Sequence, residues 1–396
     1  MALPFGLNRI NLGLLLLCIV SVATIAAVIF LGLDRSAPDR LMIAAGARSG
    51  DSYVISQALK SVVERHYPKL KITVLETGGT SENLKLLEEK KVDLATAQAD
   101  VPAGDSARSI AVLFRDTFQL AVHKDSGIKS FPQLKAKRIA LPQRGGQFKS
   151  FLAVAHHYGL SQSDFQFVGS DDHASDLAFE TGNADVLFRV RALSNNAILR
   201  IATNGRVEFL PINQAAAMQI RIPAFVPTVI PQGASSGSPP TPSQDLPTIS
   251  VERTFLAHRG VSEEAIRNIT MALVEYRHEV ALAIPDHLSE IRPLLAGVQQ
   301  PNTLSGLGIA IHPGAKAYYD RDVPNFSSSM PTMSDFGSRV HSCSAPGSGR
   351  ANAGSKSGRR IWPTSTIMNS YSSSIGLMRR TRTRTSKRSG ENCSRS

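Results

Sequence analysis

Residues 41–100 constrain the fold most, because short apolar runs alternate there with polar loops and helical patterns. Strands that alternate with helices form a parallel sheet, and such sheets bind ligands in the crevice beyond the carboxyl ends of their strands. All three strands of this stretch end in polar or glycine-containing residues. The sequence therefore predicts an α/β fold with a ligand site at that edge. The predicted strands are residues 41–45, 70–75 and 92–97, and the predicted helices are residues 54–66 and 82–90.

The same order of elements occurs a second time. Residues 138–141 predict a strand, which a glycine loop at residues 142–148 joins to a helix at residues 149–158. In both stretches a later helix ends just before an aspartate, Asp93 or Asp185, that opens an apolar strand. Two units with one order of elements predict two similar α/β lobes.

The remaining body predicts a return from the second lobe to the first. Residues 223–247 are rich in Pro, Gly and Ser, which predicts a loop that cannot pack a core. Residues 248–258 predict the returning strand, and Ser262 predicts the N-cap of a helix that runs through Val280 and has acidic residues in its first turn. We expect lobe 1 to contain residues 40–121 and 251–326, with helices in its C-terminal part, and lobe 2 to contain residues 122–250.

Residues 10–33 form an apolar segment without a charged side chain. A helix of this length crosses a hydrocarbon core of about 30 Å. Two interpretations are open: an uncleaved transmembrane helix, favoured by the length of the run, or a signal segment cleaved near small residues such as Ala26 and Ala27. We expect a periplasmic body that is either anchored to the inner membrane or released from it.

The net charge of +12 lies mostly in residues 327–396, which hold 12 Lys and Arg against 2 Asp and Glu. Residues 1–326 are close to neutral, so the body lacks the basic composition of a nucleic-acid-binding protein. The Ser- and Arg-rich tail has no apolar periodicity, which leaves two interpretations: a disordered basic segment or an out-of-frame product. Residues 34–326 contain no cysteine, so the body needs no disulfide.

Three loops at predicted strand ends lead into helices: residues 49–53, 78–81 and 145–148. The N-terminus of a helix presents unpaired N–H groups and positive dipole charge, which suit a carboxylate or a phosphate. Four arginines lie near predicted strand ends, where a guanidinium can hold a carboxylate through two hydrogen bonds: Arg48, Arg144, Arg189 and Arg191. We select Arg189 among them, because it directly follows the predicted lobe 2 strand at residues 186–188. Two roles stay open for Tyr53, a ring over the ligand or a core residue. The predicted ligand-binding residues are Ser49, Tyr53, Gly78, Gly79, Thr80, Gln98, Gly145, Gly146, Gln147 and Arg189.

Catalytic and cofactor chemistry have little support in the sequence. Residues 46–50 lack the Gly-x-Ser-x-Gly spacing of a nucleophile elbow, and no Gly-Lys-Ser/Thr motif indicates a phosphate-binding loop. His156 and His157 are neighbours on a predicted helix and face different ways, so they do not form a metal-ligand pair. We therefore expect no enzyme activity, no cofactor and no metal.

Several motifs resemble the solute receptors of tripartite ATP-independent periplasmic (TRAP) transporters, in particular their TAXI group. They are Gly-Asp-Ser-Tyr at residues 50–53, Thr-Gly-Gly-Thr-Ser-Glu-Asn-Leu at residues 77–84, Val-Asp-Leu-Ala-Thr-Ala-Gln-Ala-Asp at residues 92–100, Gly145-Gly146, His-Pro-Gly-Ala at residues 312–315 and Tyr318-Tyr319. The resemblance covers residues 41–326. One departure is Ala45-Gly46-Ala47-Arg48, where the family tends to have Thr-Gly.

The resemblance implies a type II periplasmic-binding-protein fold, with two α/β lobes that close over a ligand about a hinge of crossing strands. It also implies a small organic anion as ligand, of a carboxylate, amino-acid or dicarboxylate type, and a TRAP-type membrane permease as partner. Two other functions are open on the same lobes: an exported ligand-sensing module of a signalling system, and an enzyme.

Overall fold

A computed structural model of the chain describes residues 16–25, 39–302 and 308–322. The basic tail predicted at residues 327–396 lies outside the described residues. The architecture below is that of residues 39–302 and 308–322.

The first lobe is built on the parallel strands predicted at its start. β1 (Asp39–Ala44) pairs in parallel with both β2 (Leu70–Leu75) and β3 (Leu94–Gln98), so that β1 lies between them. The connections are α1 (Asp51–His66) and α2 (Thr80–Glu88). Both helices begin several residues before the apolar periodicity starts, because polar and glycine residues of the preceding loops form their first turns.

The second lobe repeats this order. β5 (Arg138–Ala140) pairs in parallel with β6 (Gln166–Val168) and β7 (Val186–Arg191), and again the first strand of the set lies in the middle. The connecting helices are α3 (Gly145–His157) and α4 (Asp172–Glu180). The two similar lobes inferred from the repeated pattern are therefore present.

Two long strands run through both lobes. β4 (Ala107–His123) and β12 (Leu246–His258) pair antiparallel along much of their length and join the lobes into one sheet of order β2-β1-β3-β12-β4-β7-β5-β6. The sequence pattern separates β4 into two apolar runs, because Arg115 and Asp116 interrupt it. The structure keeps one strand there, and the two charged residues mark its passage between lobes.

Each lobe has its own hydrophobic core, and the crossing strands contribute to both. Leu113 of β4 packs in the core of the first lobe, whereas Phe118 packs in that of the second. Val251 and Phe255 divide in the same way along β12. The chain thus changes lobes at residues 115–117 and again at residues 252–254.

The Pro- and Gly-rich segment 223–247 differs from its prediction as a loop without core contacts. It contains β9 (Val226–Ile230), which pairs antiparallel with β12, and Phe225 is completely buried. The prediction was wrong because a strand at the edge of a sheet tolerates proline, and Pro227 lies in such a strand. The remaining elements of this lobe are β8 (Val207–Leu210), α5 (Asn196–Ala202), α6 (Ala215–Arg221) and the hairpin of β10 (Ser236–Gly237) and β11 (Pro240–Thr241).

After β12 the chain returns to the first lobe. α7 (Glu263–Val274) begins at Ser262, whose hydroxyl accepts a hydrogen bond from the N–H of Ala265 at 3.4 Å. The helix predicted to run on to Val280 ends six residues earlier, and a separate short helix follows. These last elements are α8 (Arg277–Leu282), the 3-10 helical segment Asp286–Gly297 and α9 (Pro313–Tyr319).

Of the apolar segment predicted at residues 10–33, the structure describes residues 16–25, which are helical and exposed. Across the described residues, no helix combines the length and the apolar character that a membrane crossing requires. The other residues of this predicted segment lie outside the description.

Gly314 offers a test of how α9 packs on α7. A methyl group at this position would overlap the backbone carbonyl of Glu263. We expect Gly314→Ala to lower the free energy of unfolding by about 1–3 kcal/mol, because backbone at this contact cannot move aside as a side chain does. Urea unfolding measures the change. The matched control is Gly237→Ala, whose methyl group meets no atom within 4 Å and should be nearly neutral; equal effects of the two substitutions would contradict the packing argument.

Candidate functional site

A cavity of about 550 Å³ lies where the carboxyl ends of the strands of both lobes meet. Its walls come from the loops that lead into α1 and α2 in the first lobe and into α3 and α4 in the second, and further lining comes from β3, β4, β7 and β12. The lining side chains used below are Asp51, Thr80, Gln98, Asp116, Gln147, Asp172, Arg191 and Arg253.

Three helices begin at this cavity without a capping side chain. The residues before their first turns are Gly50, Gly79 and Arg144, and none of them caps its helix through a side-chain hydrogen bond. α4 differs, because Asp171 accepts a hydrogen bond from the N–H of Ala174. The uncapped N–H groups of α1, α2 and α3 leave positive partial charge that favours a negative group in the cavity.

The loop before α2 is held by polar contacts of its own residues. Thr77 Oγ1 accepts a hydrogen bond from Gly46 N–H at 3.0 Å, and Asn83 Nδ2 donates to the carbonyl of Thr96 at 2.8 Å. Gly79 adopts φ +96°, which a residue with a side chain rarely takes. The Thr-Gly-Gly-Thr-Ser-Glu-Asn run therefore directs the start of α2 toward the cavity.

Gly145 and Gly146 allow the lobes to approach closely. A methyl group on Gly145 would lie 3.0 Å from the carbonyl oxygen of Gly78, and one on Gly146 would overlap Oε1 of Gln98. Both neighbours belong to the first lobe, whereas the glycines start α3 in the second. These glycines are therefore needed where the lobes meet.

Gln98 presents a buried donor that has no partner among the described residues. Its Nε2 has no hydrogen bond, although the residue is only 2% exposed and lines the cavity. A buried donor without a partner has a free-energy cost of about 1–3 kcal/mol. An acceptor group on a ligand would remove this cost.

Arg191 and Asp172 form an ion pair on the second-lobe side of the cavity. Gln147 Nε2 donates to Asp172 Oδ1 at 3.1 Å, and Gln147 Oε1 accepts from the N–H of Val190. Burial disfavours a charged Asp172, but Arg191 and then Arg189 outweigh this effect and hold the pKa of Asp172 below its ordinary value. This carboxylate is therefore firmly ionised.

A second ion pair lies where the crossing strands change lobes. Arg253 Nε donates a hydrogen bond to Asp116 Oδ2 at 2.8 Å, and Arg253 Nη2 lies 2.6 Å from the same oxygen as an ion-pair contact. Asp116 is 1% exposed, and this burial raises its pKa to about 6 even though Arg253 opposes the shift. Arg253 also donates through Nη1 to Thr80 Oγ1 at 3.2 Å, which places it at the start of α2.

Two hydrogen bonds between side chains join the lobes next to the cavity. Asn195 Nδ2 of the second lobe donates to Asp51 Oδ1 of the first at 3.1 Å. Ser150 of α3 donates to Asp100, which follows β3. Burial raises the pKa values of both Asp51 and Asp100. The lobes are therefore in contact through polar groups as well as through the glycines.

Most of the residues predicted to bind ligand lie together in the lining of this cavity. Tyr53 does not: its hydroxyl accepts a hydrogen bond from Gln57 at 3.0 Å, and its ring packs against the first core. Arg189 is also absent from the lining. The predicted residues that line the cavity are Ser49, Gly78, Gly79, Thr80, Gln98, Gly145, Gly146 and Gln147.

Arg189 is instead a fully engaged internal residue. It donates to Asp176 at 2.6 Å and to the backbone carbonyls of Ala140, Phe188 and Asp172, and it is only 2% exposed. Side chains two apart on a strand share a face, so Arg191 lies on the same face and nearer the carboxyl end. Of these two arginines of β7, Arg191 is the one that lines the cavity.

Sequence reasoning missed the charged pairs of the cavity. Arg253 and Asp116 lie inside long strands, and their signal was the charged interruption between two apolar runs of β4. Asp51 and Asp172 occupy the first position of their helices, where an acidic residue usually serves the helix itself. Among the described residues, no group of three or more His, Cys, Asp and Glu is arranged to hold a metal ion.

Comparison with known sequences identifies the family. The pattern of the NMT1-like family matches residues 43–321, which is more than half of the chain. The chain belongs to the NMT1-like family. The matched residues of this NMT1-like protein include both lobes and every cavity residue named above.

Several solved structures resemble this NMT1-like protein at low identity. The alkanesulfonate-binding protein SsuA from Xanthomonas axonopodis pv. citri, bound to MOPS, has 16% identity and a TM-score of 0.43 over 68% of this chain and 89% of its own. The periplasmic aliphatic sulphonate binding protein SsuA from Escherichia coli has 16% identity and a TM-score of 0.41 over 68% and 83%. A putative L-cystine ABC transporter protein from Listeria monocytogenes has 12% identity and a TM-score of 0.41 over 62% and 94%. The observed architecture, two α/β lobes joined by two crossing strands, agrees with the predicted α/β fold.

The internal position of Arg189 leads to a test. We expect Arg189→Ala to lower the free energy of unfolding by about 3–5 kcal/mol, because it leaves the buried Asp176 without its partner. Urea unfolding measures the loss, and Arg200→Ala, which removes an exposed arginine paired with Glu180, should change it by less than about 1 kcal/mol. A stable Arg189→Ala protein with a selective loss of ligand affinity would instead restore Arg189 as a ligand-binding residue.

Proposed function

We propose that this NMT1-like protein is an extracytoplasmic solute receptor that captures a small organic anion between its two lobes. The observation that carries the proposal is the convergence of three uncapped helix N-termini on one cavity, together with the unpartnered donor of Gln98. Helix N-termini stabilise negative groups without a fixed side-chain charge. Arg191 and Arg253 are each paired with an aspartate of the lining, so we propose that N–H donors contribute most of the ligand's binding.

Ligand capture by two lobes is a shift between open and closed arrangements. A ligand favours the closed arrangement only through contacts that it makes with both lobes at once. The starts of α1 and α2 belong to the first lobe and that of α3 to the second, so one anion in contact with all three would join the lobes. The residues proposed to contact it are Ser49, Gly78, Gly79, Thr80, Gln98, Gly145, Gly146 and Gln147.

We further propose that the receptor serves a TRAP-type permease, as the TAXI-like motifs imply, and that its ligand is a carboxylate of an amino-acid or dicarboxylate type. The body would work in the periplasm, either tethered by residues 10–33 or released after cleavage of that segment. Support for this finer assignment comes from the motif at residues 77–84 and the Gln-Ala-Asp end of β3.

A panel of small ligands tests the receptor proposal. We expect at least one carboxylate to raise the melting temperature of the protein and to release or absorb heat in titration calorimetry, since a ligand that binds only the folded state stabilises it. The panel contains mono- and dicarboxylates, acidic amino acids and alkanesulfonates, with neutral sugars as the control class. A response to sugars alone would contradict an anion site.

Gln98 provides a second test with the ligand so identified. We expect Gln98→Ala to weaken binding about tenfold or more, because it removes a donor whose hydrogen bond to a charged acceptor contributes about 1.5–3 kcal/mol. Calorimetry measures the affinity. Gln166→Ala changes an exposed glutamine of β6 away from the cavity and should leave binding unchanged. Equal affinities of wild type and Gln98→Ala would exclude Gln98 from the site.

Reconstitution distinguishes the proposed transporter class from an ATP-driven one. With a TRAP-type permease in liposomes, we expect the protein to support uptake of its ligand that depends on an ion gradient and not on ATP. Collapse of the gradient with an ionophore is the control. Uptake that requires internal ATP hydrolysis would contradict the TRAP assignment and leave the receptor proposal intact.

A further inference from the structure

Arg191 and Arg253 of the cavity are each paired with an aspartate, and the pKa values of the two aspartates are shifted in opposite directions. The pKa of Asp172 is lowered in its pair with Arg191, and that of Asp116 is raised in its pair with Arg253. Asp172 has further hydrogen-bond donors in Gln147 and lies close to Arg189. Asp116 is buried to 1% exposure, and the described residues give its side chain no hydrogen-bond donor other than Arg253. Arg191 thus has a stable counter-ion, whereas the counter-ion of Arg253 is costly to keep charged.

Arg253 lies where a bound anion would meet a helix N-terminus. Its Nη1 donates to Oγ1 of Thr80, the first residue of α2, its Nε donates to Oδ2 of Asp116, and its Nη2 is in ion-pair contact with that same oxygen. A guanidinium has five N–H donors, and these contacts occupy three of its nitrogens but not all of its hydrogens. Arg253 lines the cavity together with Thr80. It can therefore add a charged donor to the N–H groups of α2.

The charges that face Asp116 come from three elements. Arg253 of β12 and Arg191 of β7 favour its ionised form, whereas Asp51 at the start of α1 disfavours it. Asp51, Arg191 and Arg253 all line the cavity with Asp116. An anion placed at the start of α2 adds a further negative charge to this group, and like charges at close range disfavour ionisation. The anion and the Asp116 carboxylate therefore compete for Arg253.

We propose that Arg253 is an anion-binding residue of the cavity and that Asp116 takes up one proton when the anion binds. The step is an exchange of counter-ions: Arg253 turns its interaction from the Asp116 carboxylate to the ligand anion, and a proton from solvent converts that carboxylate to a carboxylic acid. Charge is conserved, since the proton balances the negative charge that enters. This inference rests on the proposed function, because it assigns chemistry to the same anion site.

The sign of the pH dependence follows from this exchange. Above about pH 6 Asp116 is ionised and must be protonated for the anion to bind, so the apparent affinity falls as the pH rises. When only the protonated fraction binds, the apparent dissociation constant is the intrinsic value divided by that fraction. Between pH 5.5 and pH 7.5 this gives a weakening of at most about 25-fold, and we expect at least about fivefold.

The experiment measures anion affinity of the full chain from pH 5.5 to pH 7.5, with succinate, L-glutamate, methanesulfonate and sulfate as probes. Wild type should lose affinity as the pH rises, whereas Asp116→Asn should keep the low-pH affinity at every pH. Arg253→Gln should weaken binding at every pH. The control Asp125→Asn changes an exposed turn residue and should reproduce the wild-type profile.

A pH dependence that survives in Asp116→Asn would overturn the proposal and assign the titration to another lining group, such as Asp51. A second measurement needs no variant: calorimetry of wild type at pH 7 in Tris and in imidazole, two buffers of different ionisation enthalpy, gives the number of protons bound. We expect close to one, and zero would also overturn the proposal. If no probe anion binds at any pH, the proposed function itself fails; if one binds without proton uptake, only this inference fails.

Discussion

The antiparallel pairing of β4 with β12 is the interaction on which the rest of the structure depends. These strands are long enough to enter both cores, and they connect the two parallel sets into one sheet. A three-stranded parallel set by itself would leave two unpaired edge strands in each lobe. The crossing pair covers one edge of each set, β3 in the first lobe and β7 in the second, and it brings the carboxyl ends of these two strands toward one cavity.

The crossing also explains why charged residues lie in the middle of strands. Residues 115–117 and 252–254 lie between the two hydrophobic cores and belong to neither of them. An apolar side chain at these positions would therefore not be buried in a core. Asp116 and Arg253 lie at these positions and form an ion pair with each other. A buried ion pair contributes little net stability, because desolvation offsets most of the attraction between the charges. Its presence beside three helix N-termini is better explained by electrostatics of the cavity than by stability of the fold.

Local sequence patterns were sufficient for the parallel units. The alternation of apolar runs with helical periodicity depends on neighbours a few residues apart, and it located β1, β2 and α1 closely. The glycine loops were informative for the same reason, since Gly79 and Gly145 need backbone conformations that few other residues adopt. Sequence patterns failed where contacts with residues distant in the sequence determine whether a segment is a strand. β9 is a strand only because β12 lies beside it, and β4 is continuous only because two cores surround its ends.

The sequence by itself determined that the protein has two similar α/β lobes and that glycine loops begin helices at the ligand edge, because these features are written in residues close together along the chain. Only the tertiary structure decided which charged side chains reach the cavity. Arg189 and Arg191 lie on the same face of β7. Arg189 is farther from the carboxyl end of the strand and is buried, whereas Arg191 is at that end and lines the cavity. Arg253 and Asp116 are 137 residues apart, and the antiparallel register of β4 and β12 alone brings them together.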